Sequence, residues 1–564
     1  MIHVRLKGGK SLKVPNGTPL LEVYKRANIS SKLLPLGAKI DNKVYDLHKK
    51  IEDSCTVEFL YLDSRDGQLI YQRSLSFLLV RAMHDLFPDL TVSINHSLSK
   101  GLYCSVLTSR YNSNHDNLVL STADLERLHS RMRDIVQQDI TFIRVDMKKE
   151  EAAQFFKRHG QPGKAELLRF QERAKVSVYK CGNVYDHFYG ILAPSTGYLK
   201  VFDIVPYPPG FIVRFPSVEN PHGLPKFMDQ KKMFQVFQEY EEWGKLLGIQ
   251  NVADLNRYIV NGRMREISLT AEALHEKRIA QIADMINENK QARLVLISGP
   301  SSSGKTTFSH RLVVQLNVVG KRSYIIHLDD YFVDREHTPK AINGEYDFEA
   351  FEALDVKCFQ RHIRRLMAGE AVQLPRYNFQ KGVSEKGDMV KIDKKTLIIV
   401  EGIHGLNALL TPQIPGAMKF KIYVSAFAQL NLDEHNRIST SDVRVLRRLI
   451  RDHQYRGYPP RETIKRWNSV RRGEDQHIFP YQENADVMFN STLIYELSVL
   501  RTFSEPWLKE IQRTEEVYSE ARRLLKFTSY FLPLCEECVP PTSILREFIG
   551  KSCFDELRLT ETSD

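Results

Sequence analysis

Long apolar runs are missing from this 564-residue sequence, and cysteine is scarce. No apolar stretch approaches the roughly 18 residues that a membrane span requires. The N-terminus, MIHVRLKGGKSLKV, alternates like a strand and lacks the apolar core of a secretory signal. The seven cysteines, an odd number in a long chain, do not indicate a disulfide framework. The sequence therefore predicts a cytoplasmic protein with no membrane segment.

The overall composition, with 42% hydrophobic and 26% charged residues, is typical of a globular protein. A net charge of +11 raises the question of nucleic-acid binding. Residues 437–472, however, hold eleven Lys and Arg against three Asp and Glu, so most of the surplus lies in one segment. This uneven distribution makes RNA a possible but not a favoured partner.

Shifts in pattern along the chain predict several domains, as expected for its length. Residues 1–62 read as short strands with one helix, and helix and strand patterns mix over 63–205. Residues 206–285 open with six prolines in twenty residues and read as a linker and helical connector. Buried-strand patterns and helices fill 286–500, and 501–564 read as a helical extension. We therefore expect a multidomain α+β and α/β protein whose α/β part is a parallel sheet flanked by helices.

The stretch SGPSSSGKTTFSH carries the pattern G-x-x-x-x-G-K-[ST] of a phosphate-binding loop. The apolar run RLVLIS precedes it and TTFSHRLVVQL continues it as a helix, which is the context that this motif needs. Lys305 is expected to reach the β and γ phosphates of ATP, and the Thr306 hydroxyl to ligate Mg²⁺. The predicted nucleotide-binding residues are Gly299, Pro300, Ser301, Ser302, Ser303, Gly304, Lys305, Thr306 and Thr307.

Acidic residues follow two further apolar strand patterns. SYIIHLDDYF runs out at Asp329 and Asp330, and TLIIVEGIHG runs out at Glu401. Ligands collect at the carboxyl ends of strands in an open parallel sheet, so these acids are expected beside the loop. Asp329 could accept a proton from an attacking hydroxyl, and Glu401 could hold Mg²⁺ directly or through water. Asp329, Lys305 and Glu401 are the predicted catalytic residues.

The basic segment contains an arginine face. In SDVRVLRRLIRDHQYRG, four arginines fall at i, i+3, i+4 and i+7, which places them on one side of a helix: Arg444, Arg447, Arg448 and Arg451. Such a face beside a triphosphate predicts a lid that clamps phosphoryl oxygens. A solvated basic face or an RNA-binding helix is the alternative interpretation.

Six motifs in order resemble the uridine kinase/phosphoribulokinase family of P-loop kinases over about residues 290–495. They are GPSSSGKTTFSHRL, LDDYF, GEYDFEAFEALD, VQLPRYNF, VEGIHGL and VRVLRRLIRDHQYRG. The resemblance implies that Asp329 is the base that deprotonates a sugar hydroxyl, that Asp347 binds the ribose, and that Tyr377 lines the nucleoside pocket. It also implies that Arg444 serves the substrate and that Arg447, Arg448 and Arg451 serve the phosphates.

One departure from that family concerns the base of the nucleoside. Uridine kinases follow their Y-D-F with a His that reads the pyrimidine edge and an Arg two residues on, whereas this sequence has Gly382 and Ser384. The resemblance therefore implies a ribonucleoside, uridine- or cytidine-like, or a related small molecule as the phosphate acceptor.

The first half resembles part of the threonyl-tRNA synthetases over about residues 1–205. Residues 1–62 resemble the TGS domain, while YQRSLSFLLVRAMHDLFPD and YKCGNVYDHFYGILAPSTGYLK resemble the second additional, or editing, domain. The His–His pair and the Cys–His pair of that editing site read here as Arg73, Phe77, Phe188 and Leu192. We therefore expect neither a zinc site nor hydrolytic editing, and a pocket suited at most to an apolar or anionic small ligand.

Two further functions remain as alternatives to an ATP-dependent kinase. TGS domains also occur on GTPases, so a regulatory P-loop NTPase with an RNA- or ligand-binding first half is possible; yet neither N-K-x-D nor D-x-x-G follows Lys305. An inactive scaffold is the other alternative. Against it, the loop lysine, the Thr306 hydroxyl and the candidate base are all present. The sequence does not indicate an oligomeric state.

Overall fold

The computed structural model describes residues 1–108, 117–341 and 344–555. Its first sheet has the order β2-β1-β7-β4-β5, and its β1–β2 hairpin turns at Gly8 and Gly9, whose φ angles are +119° and +95°. Such positive angles favour glycine because it lacks a Cβ. The elements of this part are β1 Ile2–Leu6, β2 Ser11–Val14, β3 Thr18–Pro19, α1 Leu20–Ala27, β4 Gly37–Ile40, β5 Lys43–Tyr45, β6 Lys50–Ile51 and β7 Cys55–Leu60.

The next part packs a long helix against two antiparallel sheets. The helix α2 begins after Ser64, whose side chain accepts a hydrogen bond from the Gly67 N–H, and its central residues are buried. The elements are α2 Arg65–Leu86, β8 Leu90–Leu98, β9 Gly101–Thr108, β10 Asn117–Leu118, α3 Thr122–Gln137, β11 Ile143–Lys148, α4 Lys149–Arg158, α5 Pro162–Arg169, β12 Lys175–Cys181, β13 Val184–His187, β14 Asp203–Tyr207 and β15 Gly210–Arg214.

The proline-rich stretch differs from the expected linker. Residues 203–214 form the β14–β15 hairpin, and β15 pairs with β9 in the preceding sheet. Phe211, Ile212 and Val213 are buried there, and this apolar burial outweighs the tendency of the flanking prolines to interrupt a strand. The connector proper is helical: α6 Lys231–Leu247, α7 Val252–Val260 and α8 Met264–Glu288.

A parallel sheet with helices on both faces follows and confirms the predicted fold class. Its order is β17-β20-β16-β21-β24, and all four pairings are parallel. The central strand β16 is buried along its whole length, as is usual where helices cover both faces. The elements are β16 Leu294–Ser298, α9 Lys305–Val318, β17 Ser323–His327, α10 Val356–Met367, β18 Val372–Asn378, β19 Val383–Val390, β20 Leu397–Glu401, β21 Lys419–Ser425, β22 Asn431–Asp433, β23 Asn436–Arg437, α11 Thr440–Arg456, α12 Pro460–His477, β24 Val487–Asn490 and α13 Glu496–Glu510.

The C-terminal part packs back onto this sheet's helices. It contains α14 Tyr518–Thr528 and the short helix α15 Arg546–Ile549. Leu524 and Phe527 from α14, and Leu545 and Phe548 from the last segment, belong to the same hydrophobic core as β16 and α9. Within the described ranges, no helix is long and apolar enough to cross a membrane.

A buried polar cluster joins the first half of the chain to the parallel-sheet half. Lys164 on α5 pairs with Asp186 on β13, and His435, between β22 and β23, has its Nδ1 2.6 Å from the second Asp186 oxygen. Asp433 lies 3.7 Å from the Lys164 ammonium, and all four side chains are buried. Burial opposes ionisation of Asp186, but Lys164 and His435 outweigh it and lower the pKa of that carboxyl well below its usual range. The two halves are therefore joined through ionic contacts shielded from water.

Candidate active site

The predicted loop and the acidic strand ends meet at one edge of the parallel sheet. In the sheet register, Glu401 on β20 lies opposite Ile297 on β16 and His327 on β17. The loop after β16 and the 3₁₀ turn that carries Asp329 therefore leave the sheet at the same level. This edge is the carboxyl end of the strands, where ligands bind in open α/β sheets.

The loop of residues 299–304 is shaped to receive an anion. A Cβ at Gly299 would collide with the Val424 carbonyl on β21, so no larger residue fits there. Ser302 and Gly304 have φ angles of +57° and +83°, a left-handed backbone conformation that occurs in anion-binding loops. The hydroxyls of Ser302 and Ser303 are buried and have no hydrogen-bond partner within the described ranges. These hydroxyls are able to donate hydrogen bonds to phosphate oxygens.

Lys305, Glu401 and His327 form a charged group beneath the loop. The Lys305 Nζ lies 3.9 Å from Glu401 Oε1, and His327 Nδ1 lies 3.0 Å from Glu401 Oε2. Burial opposes the charged form of Glu401, but the His327 hydrogen bond and Lys305 outweigh it and lower the pKa of Glu401. Burial also opposes the charged form of His327, yet the hydrogen bond to Glu401 raises the pKa of this imidazole. Glu401 is therefore held as a carboxylate, which is the form that binds Mg²⁺.

The neighbouring acids Asp329 and Asp330 have different environments. Asp330 Oδ1 accepts a hydrogen bond from the Tyr377 N–H at 3.2 Å. No hydrogen bond or ion pair engages Asp329 in the part of the chain that is described, and its side chain is exposed at the cleft. Partial desolvation in the cleft raises the pKa of Asp329, and the nearby Glu401 carboxylate adds to this. Asp329 is thus a free acceptor whose basicity is increased.

Glu349 is a site residue that the sequence reasoning missed. Desolvation raises the pKa of Glu349 to about 7; Arg448 opposes this, and Glu474 and Asp329 add to it. Its only sequence signal is its position two residues after Asp347 in the motif GEYDFEAFEALD. The cleft therefore has a further carboxyl group, and its raised pKa places its change of protonation near neutral pH.

Residues 294–497 match the family model described as Phosphoribulokinase / Uridine kinase family. The match covers the phosphate loop, both acidic strand ends and the arginine helix. This part of the chain is a phosphoribulokinase/uridine kinase family domain. Among solved structures, a possible uridine kinase from Bacillus stearothermophilus is similar over 38% of this chain and 98% of its own, at 20% identity and a TM-score of 0.27.

The arginines of the kinase-family domain differ from the lid that their spacing predicts. Arg444 is buried, pairs with Glu474 through both amino groups and donates to the Ser301 carbonyl at 3.0 Å. Arg447 is also buried, and its NH2 lies 2.6 Å from Glu496 Oε2. Both guanidiniums lie under the loop and support its backbone, because α11 packs into the core on this face. The side chains of Arg444 and Glu474 are buried as an ion pair, and the role of Arg444 toward a substrate stays a prediction.

Arg448 and Arg451 lie closer to the cleft. Arg448 donates to the Ser301 hydroxyl at 2.7 Å and to Asp452 at 3.0 Å. Arg451 lies 3.6 Å from Glu547, a residue of the C-terminal segment. These two arginines remain the predicted phosphate-binding pair of the kinase-family domain.

The predicted acceptor side of the domain has an aromatic wall. The ring of Tyr377 packs against Phe332 and Phe379, at centroid distances of 5.7 and 5.1 Å. Asp347 Oδ1 accepts the Glu349 N–H at 3.1 Å, so this acid also fixes the loop that carries Glu349. At the position where uridine kinases have a base-reading His, Gly382 has a φ of +74°, and a Cβ there would collide with Arg335.

The N-terminal part is similar to threonine–tRNA ligases. The ligase of Clostridium kluyveri is 29% identical over 206 residues, which are 36% of this chain and 31% of the ligase. The ligase of Desulforamulus reducens is 31% identical over 201 residues, which are 36% of this chain and 30% of the ligase. The chain therefore spans less than a third of the length of these relatives.

Three of the four positions at which the sequence lacks the expected editing residues are packed into the core. Phe77, Phe188 and Leu192 are buried, and the two phenylalanine rings are 5.4 Å apart. Arg73 donates to the Ile191 carbonyl at 2.9 Å and its guanidinium lies over the Tyr189 ring. A cavity of about 580 Å³ lies beside Leu192 and is lined by none of the other three residues.

Proposed function

We propose that this chain is an ATP-dependent phosphotransferase that transfers the γ-phosphate to a hydroxyl of a ribonucleoside, uridine- or cytidine-like, or of a related small molecule. The proposal rests mainly on the Asp329 carboxylate, which lies at the same sheet edge as the phosphate loop. Among the described residues, neither Asp329 nor the Ser302 and Ser303 hydroxyls of that loop have a hydrogen-bond partner. Unpaired cysteines throughout the chain agree with a cytoplasmic location.

The residues present fit ATP and Mg²⁺. The loop N–H groups, Lys305 and Arg448 would hold the phosphates, and the Thr306 hydroxyl with Glu401 offers oxygen ligands to Mg²⁺. Mg²⁺, when bound, neutralises phosphate charge and draws electrons from the transferred group. Among the described residues, the Thr306 hydroxyl forms no hydrogen bond, so it is available for this role.

Within this proposal, Asp329 takes the proton of the acceptor hydroxyl. Its raised pKa strengthens it as a base, and its freedom from other partners lets it contact the substrate. Tyr377, Phe332 and Phe379 offer ring faces on which a nucleobase or another flat group can stack. Gly382 provides no base-reading side chain, so recognition rests on the sugar and on stacking.

The test is a substrate screen with the full chain, ATP and Mg²⁺ across nucleosides and sugar-bearing small molecules, repeated with Asp329→Asn. We expect phosphorylation of a ribose-containing acceptor, and a loss of kcat of roughly 10²- to 10⁴-fold in Asp329→Asn with ATP binding retained.

Asp330→Asn is the matched control, because its Oδ1 can still accept the Tyr377 N–H. A crippled Asp330→Asn beside an active Asp329→Asn would contradict the assignment of the base. ATP hydrolysis with no transfer to any acceptor would instead favour a regulatory NTPase with an RNA- or ligand-binding first half.

A further inference from the structure

The C-terminal segment of residues 543–550, here called the C-terminal strap, lies against the nucleotide end of the phosphate loop. Four of its apolar side chains are buried in the main core: Ile544, Leu545, Phe548 and Ile549. A Cβ at Gly304 would collide with Ile544, so the strap touches the loop backbone itself.

One carboxylate of the strap occupies a donor that a phosphate would use. Glu547 Oε2 accepts the Thr307 N–H at 3.1 Å, and Glu547 Oε1 lies 3.6 Å from the Arg451 guanidinium. Thr307 is in the first turn of α9, where N–H groups have no partner within the helix. Such donors, next to the positive end of the helix dipole, attract phosphate groups and carboxylates alike.

The contacts of the strap thus fall on the predicted nucleotide-binding residues. Glu547 engages Thr307 and Arg451, Ile544 covers Gly304, and the Phe548 ring lies 4.9 Å below the Arg447 guanidinium. A glutamate with one anchoring N–H and one arginine has the same pair of partners that a phosphate oxygen takes at such a site.

We propose that the C-terminal strap is an autoinhibitory element in which the Glu547 carboxylate competes with a nucleotide phosphate for the Thr307 N–H and Arg451. The proposal rests on the proposed function in taking ATP as the nucleotide. ATP binding and this position of Glu547 exclude each other, because one N–H cannot serve both acceptors in full and two anions repel.

The movable part is the side chain and not the whole strap. Releasing the whole strap would expose four buried apolar side chains, which has a large free-energy cost. Rotating Glu547 away breaks one hydrogen bond to the backbone and one ion pair, which costs less. A nucleotide phosphate can offset the smaller cost by taking over the same donors.

The experiment is calorimetric titration of the full chain with Mg-ATP, without any acceptor, for wild type, Glu547→Gln and Glu547→Ala. We expect Kd to fall roughly 10- to 150-fold in Glu547→Ala, as the loss of a competing charged hydrogen bond implies, and by a smaller factor in Glu547→Gln, whose amide oxygen can still accept the Thr307 N–H. The matched control is Glu536→Gln, a carboxylate that pairs with Arg546 and Lys551 and does not touch the loop. Its Kd should equal that of wild type.

The outcomes separate this proposal from the proposed function. Tighter ATP binding by both Glu547 variants supports the autoinhibitory role even if no acceptor is ever phosphorylated. Equal Kd values in wild type and in folded Glu547→Gln overturn it even if wild type phosphorylates a nucleoside. Failure of all variants to bind ATP, with thermal midpoints like that of wild type, overturns both.

Discussion

Each half of the chain contains a cluster of residues singled out by sequence reasoning, and the two clusters differ in how their side chains pack. In the first half, Phe77, Phe188 and Leu192 are buried and make apolar contacts. In the second half, within the described residues, the Ser302 and Ser303 hydroxyls have no hydrogen-bond partner and Asp329 forms no hydrogen bond or ion pair. We therefore expect the first cluster to contribute to stability and the second to contribute to ligand binding.

The largest effect is expected when the filled cluster is emptied. Phe77→Ala should destabilise the chain by roughly 3–5 kcal/mol, since it removes a buried ring that contacts Phe142 and Phe188. The thermal midpoint measures this effect, and the exposed Leu246→Ala is the control. The rate of phosphoryl transfer per folded molecule should stay close to wild type. An unchanged midpoint would show that the first-half cluster is not core.

Lys305→Ala is expected to lower activity and leave stability nearly unchanged. Removing the charge that holds the phosphates should lower phosphoryl transfer by about 10²-fold or more. Its thermal midpoint should change little, because the described contacts of Lys305 are long, to the Pro300 carbonyl at 3.3 Å and to Glu401 at 3.9 Å, and Glu401 keeps its closer partner His327 at 3.0 Å. Lys290→Ala, an exposed lysine ahead of β16, is the control. Turnover near that of wild type would show that the second cluster, like the first, does not contribute to activity.

The smallest expected effect is a pH dependence of the free energy of unfolding, which arises from Glu349. Its pKa of about 7 lies above the usual value of 4.5, so the folded chain holds this proton more tightly than the unfolded chain does. Stability from this group is present below pH 4.5 and is lost as the pH rises through 7. Between about pH 5 and pH 8, Glu349→Gln should gain roughly 1–2 kcal/mol relative to wild type.

Thermal midpoints at the two pH values measure this gain, and Glu352→Gln, an exposed glutamate on the same loop, is the control. If the difference in thermal midpoint between wild type and Glu349→Gln is the same at both pH values, Glu349 has an ordinary, solvated environment.

The fold class, the family of residues 294–497 and the ligase-like first half could be predicted because each depends on local sequence patterns. A Gly-rich loop after an apolar strand, and acids at the ends of two more strands, specify the sheet edge at which they meet. Helical spacing also placed Arg444 and Arg447 on one side of α11, but it does not specify what that side faces. Their buried partners, Glu474 and Glu496, come from later helices.

Two other features depend on contacts between residues far apart in sequence. The proline-rich hairpin pairs with β9, which lies about a hundred residues earlier, and prolines alone do not reveal that pairing. Glu547 reaches Thr307 from 240 residues away, and its local sequence resembles any charged helix end. Local sequence patterns therefore identify elements and motifs, but they do not predict which side chains from distant segments contact a site.

The buried cluster of Lys164, Asp186, Asp433 and His435 bears on how such a fused chain can change over generations. Its charges come from both halves, so a mutation or a gene break that removes one half leaves uncompensated ions in the interior of the other. Loss of a partner in such a pair costs roughly 3–5 kcal/mol, a large share of the stability of an ordinary domain. Separating the two halves of the chain is therefore expected to destabilise both of them.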